Sequence, residues 1–146
     1  MFVLDTSVIS HASPKRRADA STFVAWLERN GAACWLSAIT VAELSYGSAW
    51  LAHRHATRQS AELDRWLEGL AGRYRDRIIP VDEAVARRGG LLLARARANG
   101  TEIGMEDALI AASADLHCMA VLTTNLKHFE PTGVRCLDPF ATPLPG

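Results

Sequence analysis

Long apolar runs are missing from this chain, and so are the spacings of a disulfide or metal–thiolate framework. Its three cysteines, Cys34, Cys118 and Cys136, are odd in number, lie in apolar surroundings and form no C-x-x-C. That pattern argues against a disulfide scaffold and for reduced thiols buried in strands, with a reducing cytoplasm as the expected setting. His53 and His55 lack the i, i+4 spacing of a helical metal pair, and no cysteine–histidine cluster has zinc spacing. The longest uncharged stretch, Asn30 to Ala42, is too short to cross a bilayer. Asp5 interrupts the apolar start and no basic segment precedes it, so neither an export signal nor a membrane anchor is expected. Charge of one sign is lacking too: 16 Lys and Arg balance 16 Asp and Glu. With no global field to draw in a polyanion or a membrane, any nucleic acid must be held by a local patch. There is no G-x-S-x-G elbow and no P-loop.

What is present reads as an ordinary globular composition, 49% hydrophobic and 22% charged over 146 residues. One domain, 1–146, is expected, with a proline-containing tail over 139–146. Short apolar runs at Phe2–Leu4, Ala33–Ser37, Ile78–Val81, Met119–Thr123 and Val134–Leu137 read as strands. Pro80 marks the third of these as an edge or an end. Between them, apolar residues recur at helical spacing over Ala18–Asn30, from Thr40 through Leu51, over Ala61–Tyr74, from Asp82 to Ala98, and over Glu106–His117. Asp82 reads as a helix cap and Asn99-Gly100 as a stop. Strands alternating with helices predict an α/β fold: a short, mainly parallel central sheet flanked by helices on both faces.

Three acids stand out against this pattern. Asp5 closes the first strand, at the carboxyl edge where open α/β sheets bind ligands, although an aspartate there also serves as a helix cap. Glu43 lies three residues after Thr40, the spacing of a capping box. Asp107 opens a helix whose face through Ile110, Ala111 and Ala114 looks inward, where a lone charge is costly. Glu106 points about 100° away around the helix and reads as a rim acid or dipole partner. Three separated carboxylates that one sheet edge could gather suggest a cation site.

These residues carry a family resemblance. Phe2-Val3-Leu4-Asp5-Thr6-Ser7-Val8-Ile9-Ser10 resembles the opening of PIN-domain proteins. Ser37-Ala38-Ile39-Thr40-Val41-Ala42-Glu43-Leu44 resembles their second motif, and Ile103-Gly104-Met105-Glu106-Asp107-Ala108-Leu109-Ile110-Ala111-Ala112 their third. Thr123-Thr124-Asn125, with Phe129-Glu130-Pro131-Thr132-Gly133-Val134 behind it, resembles the fourth. The match runs in order over nearly the whole chain and is nearest to the VapC/FitB-type toxins of bacterial toxin–antitoxin pairs. It implies a PIN-like α/β/α sandwich and a ribonuclease dependent on Mg²⁺, or on Mn²⁺ in its place. By position, Asp5, Glu43 and Asp107 are then the catalytic acids and metal ligands. Asn125 stands where a further acid is usual and would reach the ion through water. A neighbouring position that some relatives fill with aspartate is His128 here. Thr6, Thr123 and Asn125 would support the ligands from behind. The expected chemistry is attack of metal-activated water on RNA, leaving a 5′-phosphate and a 3′-hydroxyl.

Basic residues must then hold the RNA against an acidic centre, and Lys15, Arg16 and Arg17 are the leading candidates. The resemblance further implies a cognate antitoxin of the VapB/FitA kind and a homodimer. Trp50, Leu51, Leu63, Trp66 and Leu67 are a surplus of large apolar residues suited to such partners. Two other readings are a non-catalytic binding module and a phosphatase with Asp5 as nucleophile. The second usually needs an aspartate two residues on, where this chain has Ser7.

Overall fold

A computed structural model describes residues 1–144. Side chains alternate across a strand, and in β1 (Phe2–Leu4) that alternation divides the core. Phe2 and Leu4 enter one apolar cluster and Val3 the other. β1 is flanked by β2 (Cys34–Ser37) and β4 (Ala120–Leu122), with β3 (Ile78–Ile79) and β5 (Cys136–Leu137) outermost. The order is β3-β2-β1-β4-β5. Every pairing is parallel, with Leu4 opposite Leu36 on one side and Leu122 on the other. The strand followed by Pro80 does lie at an edge.

Helices cover both faces. On the Phe2 and Leu4 side, α1 (Thr6–Ile9) contributes Val8 and Ile9, and α2 (Ser21–Asn30) contributes Phe23, Trp26 and Leu27. α3 (Ala38–His53) adds Leu44, while α4 (Thr57–Arg73) packs Trp66, Leu67 and Leu70 against the same cluster. On the Val3 side lie α5 (Glu83–Ala98), α6 (Met105–Leu116) and α7 (Leu126–Phe129), contributing Val85, Leu92, Ile110 and Phe129. Gly89 of α5 lets the two helices α5 and α6 approach closely. A Cβ at Gly89 would stand 2.7 Å from Leu109 Cδ2. Asp82 caps α5, its Oδ1 accepting from Val85 N at 2.9 Å, and Gly100 ends it at φ +76°.

Three expectations need correction. Helix α3 begins at Ala38, capped by Ser37, whose Oγ accepts from Ile39 N at 3.3 Å. Thr40 is buried inside the first turn and donates its hydroxyl to the Leu4 carbonyl at 3.2 Å. There is no Thr40–Glu43 capping box, because a serine at the strand's last position already meets the helix's free donors. The cysteines also divide. Cys34 is buried in β2 and Cys136 half-buried in β5, but Cys118 is exposed at φ +52°. Cys118 N donates to Asp115 O and Met119 N to Ala114 O, the paired bonds that close a helix through a left-handed residue. Finally, Leu51, Leu63, Trp66 and Leu67 are partly buried, so of the five residues in the expected apolar surplus Trp50 alone is exposed, at 50%. It stacks on Tyr46, a residue outside that set and 68% exposed, with rings 6.3 Å apart.

The tail docks where it is described: the Phe140 ring lies 4.7 Å from His11 and 5.3 Å from Phe23. Pro145 and Gly146 lie outside the described residues. Among the described residues, no helix is long and apolar enough to cross a membrane.

Candidate active site

The chain steps outward from β1 through β2 to β3, then returns across the sheet to β4. The reversal puts the switch point between β1 and β4, where parallel α/β sheets leave a crevice beyond the strand ends. Asp5 directly follows β1 and Thr123 directly follows β4, so both open onto that crevice.

Asp5 is 5% exposed and held by three donors. Its Oδ1 accepts from Thr6 N at 2.7 Å, and its Oδ2 accepts from Ser7 Oγ at 2.6 Å and Thr123 Oγ1 at 2.7 Å. The cap and the site are one arrangement: the carboxylate caps α1 and is thereby fixed in direction. Ser7 is itself tied down, accepting from Thr124 N at 3.1 Å. Ser7 was not singled out from the sequence as a site residue. The available signal was a hydroxyl two residues past an acid at a helix start, where side chains turn back on the cap.

Glu43 lies more than a turn into α3 and accepts a hydrogen bond from Thr6 Oγ1. Burial pushes its carboxyl above the usual range; the Thr6 bond opposes this, and repulsion from Asp5, Asp107 and Glu106 adds to it. Asp107 sits in the first turn of α6, and its Oδ2 lies 2.9 Å from His128 Nδ1. Burial raises its pKa as well, the hydrogen bond and charge of His128 oppose that, and Asp5 reinforces it. The three acids therefore feel one another across the crevice, with Glu106 exposed at the rim. Gly104 gives the rim acid room, since a Cβ there would stand 2.8 Å from Glu106 Oε2.

Asn125 is hydrogen-bonded to its neighbours Thr123 and His128 and not to the acids themselves. Its backbone N donates to Thr123 Oγ1 at 2.9 Å, and its side-chain Nδ2 lies 2.7 Å from His128 Nδ1. Lys15, Arg16 and Arg17 occupy an exposed turn after α1. Arg16 donates to Ser10 Oγ at 3.4 Å, and Arg17 pairs with Glu28 at 3.5 Å on the surface.

Among the described residues, no three His, Cys, Asp or Glu side chains close into a cage that would enclose a bare ion. The donor set still fits a divalent cation: carboxylate oxygens only, mutually repelling, with Asp5 and Glu43 fixed from behind by hydroxyls and Asp107 by the His128 ring. Such a set suits a hard ion that keeps part of its water shell.

The sequence and the fold have counterparts in known proteins. The PIN domain family matches residues 2–132. The chain is 36% identical to VapC ribonuclease Y4jK of Sinorhizobium fredii, over 96% of this chain and 98% of that one. It is 34% identical to toxin FitB of Neisseria gonorrhoeae, over 96% and 99%. The crystal structure of FitAcB from the same gonococcal species aligns with a TM-score of 0.80 at 33% identity, covering 97% of this chain and all 100% of that one. DNA-bound VapBC from Salmonella typhimurium aligns at 0.73 and 27% identity, over 94% and 96%. With a switch-point crevice lined by Asp5, Glu43 and Asp107, and with relatives matched along nearly their full length, the chain belongs to the PIN-domain family.

Proposed function

We propose that this protein is the ribonuclease toxin of a VapBC/FitAB-type toxin–antitoxin pair, hydrolysing RNA phosphodiester bonds with the help of a divalent cation. One observation carries the reading. Acids from three separate elements open onto the crevice beside β1 and β4, and the most buried of them, Asp5, is fixed by three donors. A purely structural acid has no need of two further carboxylates that raise its electrostatic cost.

Asp5, Glu43 and Asp107 would hold Mg²⁺, or Mn²⁺ in its place. A divalent ion bound there supplies a Lewis acid that acidifies water and offsets charge on the phosphodiester. The protein's own part is positioning. Thr6 holds the Glu43 carboxylate, Ser7 and Thr123 hold Asp5, and no side chain needs to become a covalent intermediate. Lys15 and Arg16 would grip the RNA backbone from the exposed turn, with Arg17 partly committed to Glu28. The products would carry a 5′-phosphate and a 3′-hydroxyl. The exposed Tyr46–Trp50 pair suits a protein partner, a second copy of the chain or the antitoxin.

Incubating the purified protein with RNA in Mg²⁺ and then in chelator tests this. Cleavage should occur only with the metal, and Asp5→Asn and Asp107→Asn should abolish it while keeping the native circular dichroism spectrum. Equal cleavage by wild type and both variants would overturn the assignment.

A further inference from the structure

A single ring nitrogen, His128 Nδ1, lies between two polar groups: 2.9 Å from Asp107 Oδ2 and 2.7 Å from Asn125 Nδ2. It has one bonding direction in the ring plane, occupied either by a proton or by a lone pair, so it cannot accept from Asn125 and donate to Asp107 at once. A lone pair at Nδ1 would face the Asp107 carboxylate and be repelled by it. A proton there makes a charge-assisted bond, roughly twice as strong as a neutral one. The Asn125 amide then turns its oxygen inward, a half-turn that exchanges atoms of nearly equal size, and shares the same proton in a three-centre bond.

The backbone supports this placement. His128 and Asn125 share the short turn that starts α7, where His128 N donates to Asn125 O at 3.0 Å. Asn125 N is anchored on Thr123 Oγ1, the hydroxyl that also holds Asp5. One strand end therefore supports two acids: Asp5 directly through Thr123, and Asp107 through Asn125 and His128. The ring side chain is 32% exposed and Asp107's is 21%, so the bond is only partly screened by water.

We infer that His128 is a positioning residue of the cation site: with its Nδ1 proton shared between Asn125 and Asp107, it fixes Asp107 Oδ2 and leaves Oδ1 as the oxygen offered to a divalent ion. This rests on the cation reading given above. It makes the residue at 128 a support for a ligand and not a ligand itself. Partners that orient a metal ligand are worth on the order of ten- to a hundredfold in affinity.

The test separates the two claims. In the metal-free wild type, nitrogen-15 NMR of the His128 ring should show the proton on Nδ1, and a proton confined to Nε2 overturns the inference. Mn²⁺ titration calorimetry without RNA supplies the second readout, with thermal melting to confirm folding. His128→Phe keeps the bulk and loses the donor, whereas His128→Asn places an amide N–H near where Nδ1 stood. The phenylalanine variant should bind Mn²⁺ about tenfold or more weakly, with the asparagine variant restored to within about threefold of wild type. Equal affinity in all three proteins, or tighter binding by His128→Phe, means the ring does not orient Asp107 for the ion, and the inference fails. A wild type that binds no Mn²⁺ removes the cation reading itself and the role inferred from it, while the ring assignment is still decided by the NMR.

Discussion

Asp5 and Asp107 face one crevice but are held in different ways. At the β1–α1 junction, Asp5 is nearly fully buried and three donors converge on it, two of them from its own helix start. At the α6–α7 side, Asp107 is more exposed, and its side chain leans on the His128 ring and the Gly104 backbone. Burial leaves Asp107 with a pKa above the ordinary carboxylate range. A carboxylate surrounded by donors is part of the fold's own bonding, whereas one that is desolvated and repelled costs the fold stability. The two junctions therefore differ: one is fixed by the fold's own bonds, and the other is where the proposed cation would relieve charge.

The largest expected effect comes from removing the anchor. Asp5→Ala strands the Ser7 and Thr123 hydroxyls and uncaps α1, and should cost roughly 2–4 kcal/mol in urea unfolding as well as all RNA cleavage. A variant as stable as wild type would place those hydroxyls in contact with water and undo the contrast.

Asp107→Asn should also abolish cleavage, yet leave the metal-free protein as stable as wild type or more so. Glu43→Gln should behave alike, because burial and then the neighbouring acids raise its pKa once the Thr6 bond is counted against them. The sign follows from linkage. A carboxyl with a raised folded-state pKa destabilises the fold while ionised, and that penalty fades as pH falls through the raised value toward the unfolded one. Melting temperatures of wild type and Asp107→Asn, compared from neutral to mildly acidic pH without metal, should converge on acidification. A gap that widens instead would mean that the surroundings of Asp107 stabilise its charged form, and the contrast would fail.

Thr123→Val probes the link between the two junctions, since this hydroxyl donates to Asp5 and accepts from Asn125 N. A loss of about 1 kcal/mol in stability is expected. Cleavage should slow by about tenfold or more, because an oriented ligand loses its support. Unchanged kinetics would show that Ser7 and Thr6 suffice. Smallest of all, Arg17→Ala removes a surface ion pair with Glu28 and should shift stability by less than about 0.5 kcal/mol. RNA affinity should fall more for Lys15→Ala with Arg16→Ala than for Arg17→Ala, as read by filter binding in chelator.

Much of this architecture is legible in the sequence because it is written locally. An apolar triplet followed by Asp5, a cap at Asp82 and a glycine stop at Gly100 each state their role within a few residues. The strand order follows less directly, since nothing near Phe2 says that its neighbours are Cys34 and Ala120. Local reading also misleads where two short polar residues compete: Ser37 takes the cap that Thr40 was expected to hold, which frees Thr40 to bind β1. Cys118 reads as part of an apolar strand, but the end of α6 needs a left-handed residue there. The site shows the same division. The acids announce themselves by their place at strand and helix starts. The bonds from Thr123 to Asp5 and from His128 to Asp107 join elements brought together by the fold alone, so their partners are absent from any local pattern.

The central claim is that Asp5, Glu43 and Asp107 together form a divalent-cation site. Calorimetric titration of metal-free wild type with Mn²⁺, beside Asp5→Asn, Glu43→Gln and Asp107→Asn, tests it most directly. The account predicts saturable binding by the wild type that each of the three single substitutions weakens severely. Binding of equal strength in all four proteins, or none in a wild type that still cleaves RNA in chelator, would contradict it.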